Sequence, residues 1–132
     1  MVKVTYVIMA GGKGERLWPL VGKDRPKVCL APDGKRSLLQ ATIDRLKPIW
    51  PRADWLIVTT KGQAQAVQAQ VPAKLKHRVL VEPAIRNTAA CIALAAMSIR
   101  EPQRVMVVVP ADHWIEDAAA FQRAVRRAIQ AA

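Results

Sequence analysis

Four short runs constrain the architecture: VTYVIMA (4–10), WLIVTT (55–60), RVLVE (78–82) and RVMVVVP (104–110). Each is rich in valine or isoleucine and nearly continuously apolar, which is the pattern of strands buried on both faces. Helical stretches separate them. SLLQATIDRL (37–46) opens on Ser37 with Gln40 three residues later, a capping-box pattern, and Leu38, Leu39, Thr42, Ile43 and Leu46 recur on one face. KGQAQAVQAQV (61–71) is rich in alanine and glutamine and stops before Pro72. NTAACIALAAMSI (87–99) is apolar nearly all round, which predicts a well-buried helix whose alanines let it sit close to a sheet. AAAFQRAVRRAIQAA (118–132) gathers Phe121, Val125 and Ile129 on one face and leaves its arginines for solvent.

Strand and helix therefore alternate along the whole chain. The expected fold is α/β: a Rossmann-like parallel sheet with right-handed crossovers and helices on both faces. Ligands of such sheets bind outside the carboxyl ends of the strands. The segments at those ends are the glycine-rich loop from Gly11, Thr59–Thr60, Glu82–Pro83 and ADH (111–113), and the topology predicts that they share one edge.

A length of 132 residues suits one domain with a real core. The net charge of +11 favours anionic partners. Aromatic residues make up only 5% and do not interleave with the basic ones, so the stacking surface of a single-strand binder is missing and no nucleic-acid partner is expected. The run 4–10 is too short to span a membrane and has the wrong flanks for a cleaved leader, so no membrane partner is expected. Cys29 and Cys91 are far apart, in no metal-ligand spacing, and read as buried thiols of a reducing compartment, with the cytoplasm as the expected location.

The loop MAGGKGERLWPLVGKDRPK (9–27) concentrates glycine and basic residues directly after the first strand. Gly11, Gly12 and Gly14 would let backbone N–H groups approach a phosphate chain. Leu17 stands where a dinucleotide fingerprint has its third glycine, and Gly14 follows Lys13 where a Walker A loop needs serine or threonine. A tight strand-to-helix turn accounts for the glycines equally well. Arg16 and Lys27 add positive charge, and Trp18-Pro19 and Arg25-Pro26 stiffen the return. As isolated residues, Arg16 and Lys27 also read as surface charges, Asn87-Thr88 as a helix cap, Asp112 as a turn cap, His113 as structural, and Trp114 as core or groove wall.

AGGKGERLWPL with RPK resembles the signature of sugar-phosphate nucleotidyltransferases, in the version of the mannose-1-phosphate guanylyltransferase branch. EPAIRNTAACIALAA (82–96) and VVVPADHWIED (107–117) agree with it, in the same order and each at an expected strand end. The resemblance implies transfer of GMP from GTP to mannose 1-phosphate, giving GDP-mannose and pyrophosphate with Mg2+ as cofactor. It implies that Gly11, Gly12 and Gly14 offer N–H groups to the phosphates and that Arg16 holds the leaving β/γ-phosphates. Lys27 would sit near the α-phosphate, Glu82, Asn87 and Thr88 would line the base and ribose pocket, and Asp112 would bind magnesium. Val28 and Cys29 replace the glutamine and aromatic that usually follow the Pro-Lys pair, and the family's second metal-binding aspartate has no counterpart here.

The expectation is therefore a single nucleotide-binding domain over 1–132, the N-terminal half of a longer catalytic domain and inactive alone, which self-associates through apolar surface. The competing readings are a non-catalytic nucleotide-binding or regulatory module and a nucleotidyltransferase for another base or sugar.

Overall fold

The computed structural model describes residues 1–22 and 25–132; Lys23, Asp24 and the side chain of Arg16 lie outside the described residues. Each apolar run forms a strand: β1 (Val4–Met9), β2 (Asp54–Thr60), β3 (Val79–Glu82) and β4 (Val105–Pro110). All pairings are parallel, and the sheet order is β3-β2-β1-β4. The helices are α1 (Leu38–Leu46), α2 (Ala64–Gln70), α3 (Asn87–Ser98) and α4 (Ala118–Ala131), with 3-10 turns at Glu15–Leu17, Lys27–Cys29 and Ala73–Arg78.

The capping box of α1 forms as its sequence predicts. Ser37 Oγ accepts from the Gln40 N–H at 3.1 Å, and Gln40 Oε1 accepts from the Ser37 N–H at 3.0 Å. Two otherwise orphaned donors are satisfied reciprocally. At α4, Asp117 Oδ1 accepts from the Ala120 N–H at 2.8 Å.

Alternation along the strands divides the core in two. Val4, Tyr6, Ile8 and Ile57 face Leu39, Ile43 and Leu46 of α1, Val67 of α2 and Ile129 of α4. Val7 and Val58 face Cys91 and Ala95 of α3. Each fully buried aliphatic side chain is worth ~1.5–3 kcal/mol, so the three-helix face contributes most of the burial. The expectation that α3 is well buried is corrected here. Only Cys91 and Ala95 of α3 are buried, and Met97 is 84% exposed. Among the described residues α3 is the one helix on its face, so its far side meets solvent whatever its composition.

At the amino ends of the strands, Arg104 bonds Asp54 and Glu101 (3.0 Å), and Lys3 bonds Glu101 at 2.6 Å. Lys3 and Arg104 hold the Glu101 carboxyl below the usual range. The opposite, carboxyl edge carries the glycine loop. Running from β1 through β2 to β3, the chain moves outward on one side; it then returns to place β4 on the other side of β1. The order therefore switches between β1 and β4, and a crevice opens there.

Candidate functional site

A cleft of about 520 Å³ lies at this switch point. Its walls include Gly11, Gly12, Lys27, Glu82, Asn87, Thr88 and Asp112, residues drawn from four separate parts of the chain. The parallel register brings them together: Met9 at the end of β1 is level with Val58 of β2 and Pro110 of β4, and Thr60 is level with Glu82.

The glycine loop is shaped by close packing. A Cβ on Gly11 would meet Glu82 Oε2 and Thr60 Cγ2 at 3.2 Å, so a side chain there would press on the cleft wall. Gly14 has φ +67°, and a Cβ would lie 3.0 Å from Val21 and 3.1 Å from the Lys27 Cβ. Both conditions favour glycine. Gly14 is not part of the cleft wall; it lets the chain turn tightly beside Lys27. Arg16 lies in the following 3-10 turn, and its side chain is outside the described residues.

Lys27 Nζ pairs with Asp112 Oδ2 at 2.8 Å, with both side chains about one-third exposed (31% and 30%). No backbone N–H among the described residues donates to Asp112, so its carboxylate is engaged by Lys27 and not by a turn it caps. The pairing draws the Pro-Lys element against the exit of β4 and leaves the two charges nearly balanced. The other carboxylate oxygen lies 3.8 Å from His113 Nε2. Trp114 is 47% exposed, which corrects its reading as core; with the chain already turning away from the sheet after β4, no layer covers it.

The cap reading of Asn87-Thr88 is also corrected. Arg86 occupies the N-cap position of α3, and no side chain caps it. Asn87 has φ 66°, a left-handed conformation that asparagine tolerates better than most residues. Its side chain is thus not placed as an extended N-cap residue's would be. The first-turn N–H groups of α3 accordingly remain available beside the cleft, where the helix dipole favours negative charge.

Glu82 lies among these groups with no hydrogen-bond or ion-pair partner among the described residues, and burial raises its carboxyl above the ordinary range. Burial, reinforced by the Glu82 charge, pushes the Cys91 thiol up to about 11, which disfavours the thiolate at neutral pH. Both cysteines are free; Cys91 is buried, and Cys29 is only half-buried.

A magnesium ion is chemically compatible with this wall. Asp112 offers hard carboxylate oxygen, and phosphates and water can complete an octahedral shell. No group of three or more histidine, cysteine, aspartate or glutamate side chains suited to a metal occurs among the described residues, so such an ion would depend on substrate for most of its ligands.

Sequence reasoning missed several wall residues: Lys13, Glu15, Ile85 and Cys91. Lys13 had a usable signal, since it sits between the glycines. Ile85 and Cys91 carry none, being ordinary apolar residues until the α3 corner folds over the sheet edge. No helix among the described residues is long and apolar enough to cross a membrane.

Comparison with known proteins agrees with the α/β fold. Residues 5–132 match the model of a family described as nucleotidyl transferase. The chain is 44% identical to the alginate biosynthesis protein AlgA of Pseudomonas putida, with 96% of the chain and 27% of the relative covered. It is 40% identical to a mannose-1-phosphate guanylyltransferase of Salmonella muenchen, over 97% of the chain and 28% of the relative. The chain thus spans less than a third of these relatives. The crystal structure of a mannose-1-phosphate geranyltransferase from Thermus thermophilus superposes with a TM-score of 0.80 at 36% identity, covering 100% of the chain and 38% of that protein.

Proposed function

The chain belongs to the nucleotidyl transferase family, and from that premise we propose that it is the nucleotide-binding part of a mannose-1-phosphate guanylyltransferase. The reaction would be GTP plus mannose 1-phosphate giving GDP-mannose and pyrophosphate. The observation that carries this reading is the assembly of Gly11, Gly12, Lys27, Glu82, Asn87, Thr88 and Asp112 around one cleft at the sheet's switch point. The relatives' names point to the same sugar and base.

In this reading the sugar phosphate oxygen attacks the α-phosphorus of GTP, the α–β bridging bond breaks, and pyrophosphate leaves with the electron pair. The nucleophile is already an anion, so no base is needed. The barrier comes from bringing anions together and from charge growing on pyrophosphate, and positioned cations and N–H donors lower it. Gly11 and Gly12 line the phosphate path, with Gly14 shaping the turn that follows, and Arg16 holds the β/γ-phosphates. Lys27 leaves Asp112 for the α-phosphate as the triphosphate arrives. Magnesium, held by Asp112 with phosphate oxygens and water, supplies further charge neutralisation when bound. Asn87 and Thr88 face the ribose side. The Glu82 carboxylate, an acceptor without a donor of its own, suits a base edge with adjacent N–H and NH2 groups, which guanine has and adenine lacks.

The cytoplasm is where these substrates are expected. Copies of the chain are proposed to associate through the thinly covered α3 side of the sheet. Calorimetry of this chain with magnesium and GTP, GDP-mannose or ATP tests the reading. Binding of the guanine nucleotides in preference to ATP is expected; the absence of heat with all three at millimolar concentration overturns it. A non-catalytic nucleotide module predicts the same binding, but no GDP-mannose formation when the remaining part of a relative is added.

A further inference from the structure

We infer that Gln63, together with Thr59, is a positioning residue that aims the N–H groups of the glycine loop into the cleft, an inference that rests on the phosphate-binding reading of that loop. Gln63 Nε2 donates to the Gly12 carbonyl at 2.9 Å. Thr59 Oγ1 donates to the Ala10 carbonyl at 2.9 Å. Both donors leave the carboxyl end of β2: Thr59 is the strand's penultimate residue, and Gln63 immediately precedes α2.

A trans peptide is planar, with its C=O and the following N–H pointing in opposite directions. Drawing the Ala10 carbonyl towards Thr59, which shares the face of Ile57, therefore turns the Gly11 N–H away from the side of the sheet that carries α1, α2 and α4. Drawing the Gly12 carbonyl towards Gln63 does the same for the Lys13 N–H. The side they turn towards carries Asn87, Thr88 and Cys91 of α3, which line the cleft with Gly11, Gly12 and Lys13. Among the described residues, the N–H groups of Gly11, Gly12, Lys13 and Gly14 make no hydrogen bond, whereas the Ala10 N–H on their strand side is tied to Val58 O at 2.7 Å. Successive unpaired N–H groups facing one side make an anion-binding concavity.

Gln63 also carries a sign of constraint. Its Oε1 is buried with no partner, a cost that its bond to Gly12 helps to offset. The bond itself identifies which end of the amide faces the loop, because only the NH2 end can donate to a carbonyl. Thr59 is fully buried, so its hydroxyl has no water to turn to in place of Ala10. With Gln63 absent, the Gly12–Lys13 peptide is free to flip, since the glycine on its amino side imposes little preference on the plane.

The test uses Gln63→Met, which keeps the side chain's length and removes the donor, in the full chain. Affinities for inorganic tripolyphosphate, GTP and guanosine are measured by calorimetry, with thermal melting as the check on the fold. Losing an aimed N–H from a charged acceptor predicts that tripolyphosphate and GTP both weaken about ten-fold, while guanosine affinity and the melting temperature stay as in the wild type. Amide hydrogen exchange at Lys13 is also expected to lose the protection that tripolyphosphate confers on the wild type. Tripolyphosphate binding in Gln63→Met equal to the wild type's overturns the inference, and so does a wild type that does not bind tripolyphosphate. A uniform loss across all three ligands with a lowered melting temperature would overturn it too, by showing a general structural role. A wild type that binds tripolyphosphate but neither GTP nor guanosine would leave the positioning role standing and defeat the guanylyltransferase reading.

Discussion

Asp112 and Lys27 neutralise each other across 2.8 Å, yet the pair is one-third exposed, and exposed pairs contribute only ~0–1 kcal/mol. Asp112→Asn should therefore change the melting temperature little. Its effect should fall on the magnesium dependence of nucleotide affinity: the enhancement by magnesium seen in the wild type should vanish in calorimetric titrations with and without chelator. A magnesium effect of unchanged size would exclude Asp112 as a ligand. Glu82 presents the reverse balance. Its folded carboxyl is raised by burial, so the native state holds the proton more tightly than the unfolded state does. Stability then falls as pH rises from the ordinary carboxylate range through the folded value, and the penalty is complete above it. Glu82→Gln removes this penalty. The variant should melt higher than the wild type at neutral pH, with the gap closing in acid, while its preference for GTP over ATP should shrink. A melting curve that responds to pH identically in both proteins would refute the burial argument.

Among the helices, α1 and α3 show how differently local sequence can be realised. The box at the start of α1 satisfies two donors inside a nearly buried turn, with Ser37 at 3% exposure. Ser37→Ala should cost about 1 kcal/mol and lower the melting temperature by roughly 4 °C for a domain of this size. An unchanged melting curve would mean that water replaces the serine oxygen. Its pattern was readable because every partner lies within one turn. The start of α3 departs from its local pattern for the opposite reason. Asn87-Thr88 has a cap's composition, but a cap needs the right backbone angles, and Asn87 lies at φ 66°. That angle belongs to the path from Glu82 across the sheet edge, which no short pattern encodes.

For the molecule as a whole, the two sides of the sheet are unequal. Three helices cover one side, while α3 covers the other and exposes Met97 at 84%. β4 is an edge strand whose residues are all only half-buried. Edges and apolar surface of this kind recruit further chains, and two-fold dimers are the commonest closed outcome. The net charge of +11 opposes close approach until salt screens it. Sedimentation should show a species that grows with protein concentration and more strongly at high salt, and Met97→Lys should reduce it. A monomer at both salt concentrations, with no binding of a hydrophobic dye, would refute association through this surface.

The strands, the four helices and the glycine loop were legible in the chain because hydrophobic periodicity, capping residues and glycine are local properties. The ends of β1, β2, β3 and β4 emerged within a residue or so of the apolar runs. The same residues implied a shared edge at the strand ends, since parallel crossovers allow little else. The Lys27–Asp112 pair, the Gln63 bond to Gly12 and the buried Cys91 beside Glu82 were not legible. Their partners lie far apart in the chain, and none of them belongs to a recurring short pattern. Contacts at that separation depend on which strand neighbours which, and the order β3-β2-β1-β4 arises only when the sheet assembles. The partial exposure of α3 belongs with them: an apolar helix reports that it needs cover, but only the packed layers settle how much cover it receives.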